Sequence, residues 1–263
     1  MASRYLIAAS IALVVVSLSF AVAYGALGAS VPLEGLRSLA RAYVTLAYAP
    51  WNRTLTAMSP EAVTSIVWDF RGVDTFFETA VLFGAIIGTV TLFRGIRPSA
   101  KVGEGLSIIA RSAAAVTAPM ILAVAAAIAL HGHLTPGGGF QGGATAAVVA
   151  LVILVTFSLG YLISGLSKER ALVLRSAGLL GIAAVALIPP ILGGIVFQNQ
   201  VKELSQFSYP AYIGGALTSG SLLFYNLFES LAVAAGLTLT IMLLLSPHEV
   251  VEEAVRGEEH ERV

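Results

Sequence analysis

Six long stretches of the chain are apolar at nearly every position, and the polar residues collect between them. They run over approximately residues 5–27, 75–94, 109–131, 142–165, 174–197 and 221–245. A helix needs about 20 residues to cross a hydrocarbon core of roughly 30 Å, and each stretch is about that long or longer. The pattern therefore predicts an all-α fold, a polytopic membrane bundle of about six transmembrane helices. Composition supports this: 57% of residues are hydrophobic, 11% are charged, and the mean hydropathy is +0.88. Too few polar side chains remain to cover a globule facing water. The first stretch follows Arg4 and is trailed by the small residues Ala21, Ala23 and Ala26, as in a signal peptide. It is long for a signal core, so a retained helix is expected.

Lys and Arg in short loops orient such a bundle. With the N-terminus inside, Arg4, Arg94, Arg97, Lys101, Arg111, Lys168, Arg170, Arg175, Arg256 and Arg262 fall on one side, and Arg37, Arg41, Arg53, Arg71 and Lys202 on the other. Both termini are expected to be cytoplasmic, in the cell membrane. The longest connection, residues 28–74, is expected on the outer face. Within it Ser59-Pro60-Glu61 has the form of an N-cap, first-turn proline and acidic residue, predicting a short helix to about Phe70. Trp51 and Trp68 fall in this connection and suit an interfacial segment. Asn52-Arg53-Thr54 is a glycosylation sequon of a kind that arises often by chance.

Residues 95–108 mix charge, proline and glycine and predict a cytoplasmic linker. A module boundary is placed there, giving 1–104 and 105–263. The tail beyond Ser246, rich in glutamate, predicts a short polar helix that frays. Pro119 and the pair Pro189-Pro190, followed by Gly193-Gly194, predict kinks in the third and fifth stretches.

Several chemistries are excluded. Fifteen basic and fifteen acidic residues balance, so nucleic acid has no electrostatic footprint here. No cysteine is present, which removes disulfides, thiolate-bound zinc and cysteine nucleophiles. The serines sit mostly among small apolar residues that suit helix packing. No catalytic residue, metal site or cofactor of the chain's own is expected.

Between the third and fourth stretches stands His131-Gly132-His133-Leu134-Thr135-Pro136-Gly137-Gly138-Gly139-Phe140-Gln141-Gly142-Gly143. It resembles the G-H-x-x-P-G-G-G-F-x-G-G signature of the MrpB (MnhB) family, small membrane subunits of multisubunit Na+/H+ antiporters. Pro136 and the glycines Gly137, Gly138 and Gly139 predict a compact reversal, and Gly142 and Gly143 a close return of the next helix. The embedded Gly137-x-Gly139-x-x-Gly142 imitates a dinucleotide fingerprint, but it follows a membrane helix and no strand. Upstream, Trp68-Asp69-Phe70-Arg71-Gly72-Val73-Asp74-Thr75-Phe76-Phe77-Glu78-Thr79-Ala80-Val81-Leu82 is similar to a segment near the C-terminal end of the large MrpA subunit. In membrane-bound hydrogenases and related sulfur reductases that segment is a separate small subunit encoded beside the MrpB-like one. The resemblance thus implies two neighbours fused. Its implied partners are other Mrp-type membrane subunits, hydrogenase-like or sulfur-reductase-like redox subunits, and lipid; its implied cargo is Na+ and H+. The acidic position of the sixth stretch, Glu229 in Leu223-Phe224-Tyr225-Asn226-Leu227-Phe228-Glu229, is shifted relative to many members.

Glu78 and Glu229 are the carboxylates nearest to, or inside, apolar stretches, where an ionisable group usually faces a water cavity or a counter-charge. Both are ion-path candidates, with Asn226 on the same face as Glu229. Glu78 has a structural alternative, a capping box Thr75-x-x-Glu78, or a pairing with Arg71 or Lys202. Asp69, Arg71 and Asp74 are expected to form a salt-bridge network that fixes a loop. His131 and His133 are expected to serve as a proton relay or helix cap near the glycine turn rather than to hold a metal. The rival to an ion path is a scaffold that joins antiporter-like subunits without moving ions. An autonomous small transporter ranks third, because inverted repeats are not evident.

Overall fold

The computed structural model describes residues 2–25, 35–94, 105–199 and 206–246, with isolated positions 96, 98 and 103. Its elements are α1 (Ala2–Ala23), α2 (Ser38–Ala47), α3 (Ala62–Thr64), a π-helical segment (Ser65–Phe70), α4 (Gly72–Leu92), α5 (Ile108–His131), α6 (Gly139–Thr156), α7 (Leu159–Gly165), α8 (Lys168–Ile191), β1 (Tyr212–Ile213), β2 (Ala216–Leu217) and α9 (Leu222–Leu244). By their contacts residues 1–42 and 43–263 are separate units. The first holds α1 and the start of α2. The second is a helical bundle.

Among the described residues five helices are long and apolar enough to cross a bilayer: α4, α5, α6, α8 and α9. That is one fewer than the six expected. The first stretch does form α1, a 22-residue helix of which only Ala9–Ala23 falls within a continuous run of described side chains. The stretch predicted over 142–165 is two helices. Phe157 leaves α6, and the Ser158 hydroxyl accepts the Tyr161 N–H to cap α7. The Leu106 N–H donates to the Thr156 carbonyl at this break, so the linker before α5 is fastened there. Pro189 and Pro190 stand in the last turn of α8 and end the helix rather than kinking its middle. Pro119 is carried inside a continuous α5.

The centre of the bundle is α9, which packs against α4, α5, α6 and α8. Half of its most apolar window is buried, against 17% for α4 and α5. Two apolar clusters lie along it, one around Leu239, Met242 and Leu243 and one around Trp68, Leu222 and Tyr225. Outward-facing side chains are large and apolar, as Val81 at 74% and Ile109 at 79% exposure illustrate, which suits lipid or a neighbouring subunit.

At the end where α5 turns into α6, the connections are tied by buried polar groups. The Ser59 hydroxyl donates to the His133 carbonyl (2.5 Å) and that of Ser219 to the Met58 carbonyl (2.7 Å). Asn199 donates to the Ala57 carbonyl (2.9 Å) and accepts from the Ser221 N–H (2.7 Å). Ser59 is thus spent on this seam, and the N-cap expected of it belongs to Glu61, whose carboxylate accepts the Thr64 N–H. The helix to Phe70 forms, but as a π turn. A two-strand hairpin, closed by Gly214 and Gly215 at positive φ, is a small departure from the all-α expectation. The expected tail helix, Arg97, Lys101 and Lys202 lie outside the described residues.

Close helix approach depends on missing side chains. A Cβ on Gly143 would sit 2.6 Å from the Ser230 carbonyl of α9, and one on Gly142 would sit 2.8 Å from Ala129 of α5. Gly143→Leu is expected to separate α6 from α9 at a cost of about 1–3 kcal/mol. The measurement is the melting temperature and recovery of the purified assembly. Gly84→Ala, where no atom lies within 4 Å of the added carbon, is the silent control.

Candidate acidic cavity

The glycine turn delivers the first turn of α6 onto α9. A helix begins with N–H groups that have no partner of their own, and inside a bilayer water does not supply one. Here α9 does. The Gly139 N–H donates to Asn226 Oδ1 (3.2 Å), and the Phe140 N–H is hydrogen-bonded to the Glu229 carboxylate. The approach requires Gly139, because a Cβ there would lie 2.5 Å from the Asn226 carbonyl oxygen and 2.6 Å from Glu229 Oε2. It also requires Gly138 at φ +143°, ψ 178°, a conformation essentially reserved for glycine.

The same carboxylate reaches a third element. Trp68 in the π segment stacks on Tyr225, with ring centres 4.5 Å apart, and donates its Nε1–H to Glu229 Oε2 (3.3 Å). Trp68 is fully buried, so it is a core residue and not the interfacial anchor expected of it; Trp51, 79% exposed, stays at the surface. Sequence reasoning missed this role of Trp68, and the indole's single polar atom was the available signal.

Between α4, the π segment, the glycine turn and α9 lies a cavity of about 490 Å³. Its polar lining includes Thr64, Thr79, Glu78, Gln141, Asn226 and Glu229, and among the described residues no lysine or arginine lines it. Glu229 is 7% exposed and Asn226 1%, whereas Glu78 is exposed. Asn226 Nδ2 is buried without a partner. The fold therefore brings together Glu78, Glu229, Asn226, Gly137, Gly138 and Gly139. Pro136 stands in the turn before them.

The other candidates lie elsewhere. Arg71 pairs with Asp74 (2.5 Å) at the surface, with both side chains 60% exposed, which is worth little in water. Asp69 is half-buried in the π segment. The capping box proposed for Glu78 is absent, because α4 begins at Gly72 and the Thr75 hydroxyl donates to the Val67 carbonyl. Lys202 lies outside the described residues, and Arg71 is engaged with Asp74. His131 ends α5 with Nδ1 3.2 Å from the Ala127 carbonyl.

His133 is buried in the seam, and its Nε2 faces the Leu217 carbonyl at 2.9 Å. A carbonyl only accepts, so Nε2 carries the proton and the unpartnered Nδ1 is bare. Burial holds its pKa below the ordinary 6.5, the Leu217 carbonyl partly opposing this. The unfolded chain then binds the proton first as pH falls, so stability drops below about 6.5 and continues to drop until the folded pKa is passed. His133→Gln, which keeps a donor without a titrating group, is expected to flatten this acid limb in thermal melts between pH 7 and 5. An unchanged slope would contradict it.

Residues 109–239 match the domain related to the MnhB subunit of Na+/H+ antiporter. A Methanocaldococcus jannaschii protein of uncharacterised function is 26% identical over 224 residues, covering 76% of this chain and 82% of its own length. A chain of the membrane-bound sulfane sulfur reductase, an archaeal respiratory membrane complex, superposes with TM-score 0.69 and 24% identity. That match covers 94% of this chain and all of the other. A chain of the Mrp complex from Dietzia sp. DQ12-45-1b superposes with TM-score 0.64 and 19% identity, covering 92% of this chain and 26% of that one.

Proposed function

Since residues 109–239 are a domain related to the MnhB subunit of Na+/H+ antiporters, making this a multi-pass membrane subunit of Mrp type, we propose that it handles the cation itself, through Glu229 and Glu78. The observation that carries this reading is the cavity: two carboxylates line it, one of them buried, and among the described residues no basic side chain of its lining neutralises them. Carboxylate at membrane depth is costly without a cation, a proton or water. Oxygen donors suit Na+, and Glu229, Glu78, Thr79 and Gln141 offer them around one space. The chain catalyses no reaction alone. It works within a larger assembly, beside Mrp-type membrane subunits and, given the length of the sulfur-reductase likeness, redox subunits of that type.

A second reading has its own observation. Glu229 caps α6 and binds Trp68, so it also fastens α6, α9 and the π segment together. A scaffold would need nothing more. Glu229→Gln keeps the shape and an acceptor oxygen while removing the charge. The cation role predicts an assembly recovered in full with sodium-coupled proton movement in vesicles reduced at least tenfold. The scaffold role predicts poor recovery, or recovery with full coupling.

We further propose the cell membrane as location, with the 22-residue α1 as a sixth crossing and both termini cytoplasmic. Arg94, Arg111, Lys168 and Arg170 gather near the ends of α4, α5 and α8 on the side opposite the polar seam. A cysteine at Ser167 is expected to be labelled by an impermeant reagent from the cytoplasm, and one at Ser38 from outside. The reversed result would invert the cavity.

A further inference from the structure

The charge pattern along the chain groups Arg175 with the loop charges, but it stands two turns inside α8. Its side chain is 2% exposed, and Nε and Nη1 have no hydrogen-bond partner. Among the described residues no carboxylate forms an ion pair with it. Its guanidinium lies 4.1 Å from the centre of the Phe83 ring, a contact that offsets only part of the cost of an unpaired buried charge. Beside it is a void of about 10 Å³, room for one water, walled by Thr79, Phe83, Leu179 and Val233 among others. Thr79, Leu82 and Val233 also wall the acidic cavity. The two spaces are neighbours through a shared wall.

We propose that Arg175 is a fixed positive charge that closes the acidic cavity on its α8 side, weakening cation binding at Glu229 and stopping a bound cation from advancing along α9. The inference rests on the cation-handling reading. Beyond Arg175 the bundle is occupied by an apolar cluster around Leu239, Met242 and Leu243. A cation entering from the glycine-turn end thus meets carboxylates first and a guanidinium next. It then leaves by the way it came, or sideways between α4 and α6, where Val81 and Phe140 are exposed.

The elements packed on α9 bring Asp74 and Glu78 from α4, Asp69 from the π segment, Arg111 and His131 from the two ends of α5 with His133 just past it, and Lys168, Glu169 and Arg170 from the first turn of α8; α6 brings none, and Tyr225 of α9 itself is stacked on Trp68. Gly236, against which the Arg175 side chain lies, is seven residues past Glu229, or about 10 Å along the helix. At that separation a unit charge changes a cation's affinity about tenfold at an effective dielectric near 20.

The test measures the half-saturating Na+ concentration of coupled activity in vesicles holding the intact assembly, at alkaline pH so that protons do not compete. Arg175→Gln is expected to lower it about tenfold, and Arg175→Lys to leave it near the unsubstituted value. Leu179→Glu, one turn from Arg175, neutralises the charge in place and is expected to lower it likewise, which keeps the test decisive if Arg175→Gln does not assemble. A merely structural role predicts weaker binding in these variants, never tighter. Unchanged or raised half-saturation in Arg175→Gln or Leu179→Glu, with Glu229→Gln strongly impaired, overturns the inference alone. If Glu229→Gln is also unaffected, the cation reading falls and the inference with it.

Discussion

The first turn of α6 has to find hydrogen-bond acceptors within the bundle, and the elements around it are arranged to meet that need. Asn226 and Glu229 on α9 supply them. An anionic side chain at a helix N-terminus is also favoured by the helix dipole. The contact works only if two backbones come within reach, which is why Gly138 and Gly139 stand at the junction and Gly142 and Gly143 follow on the faces toward α5 and α9. Once Glu229 is fixed in this way, its remaining capacity draws in the Trp68 indole, and through Trp68 the π segment and the start of α4. The cavity is the space left where these four elements meet.

The proposed cation role puts a second demand on a carboxylate that already holds α6. As a cap, Glu229 benefits from negative charge and stays still. As a cation ligand, it benefits from the same charge but must exchange partners. The two are compatible because the cap is shared: Asn226 holds Gly139, so Glu229 can reorient without releasing α6 altogether. Glu78, exposed on the same cavity, is the second negative charge, and it has no comparable structural duty. Arg175 lies beyond the wall as the opposing charge.

Much of this was legible in the chain. Hydrophobic runs located α4, α5 and α9 to within three residues at either end, because lipid demands uninterrupted apolar length. The glycine motif and the pair Asn226/Glu229 are separate signals in the chain, and the fold joins them. What failed to show was whatever depended on which polar group meets which. Ser59 looked like a cap and is instead part of a seam with His133. Trp68 looked interfacial because tryptophan often is, yet its N–H had a buried partner 161 residues away. Arg175 looked like a loop charge because its burial depends on Phe83 and Gly236, neither of which is near it in sequence. The break at Ser158 was hidden because leucine and glycine continue the apolar pattern through it.

The central claim is that Glu229 is at once the cap of α6 and a ligand for a cation in the cavity. The most direct measurement is the infrared difference spectrum of the intact assembly with and without Na+, recorded for the unsubstituted protein and for Glu229→Gln. The account predicts a sodium-induced carboxylate band that disappears in Glu229→Gln while the helical amide bands stay unchanged. A sodium-induced spectrum identical in the two proteins would contradict it.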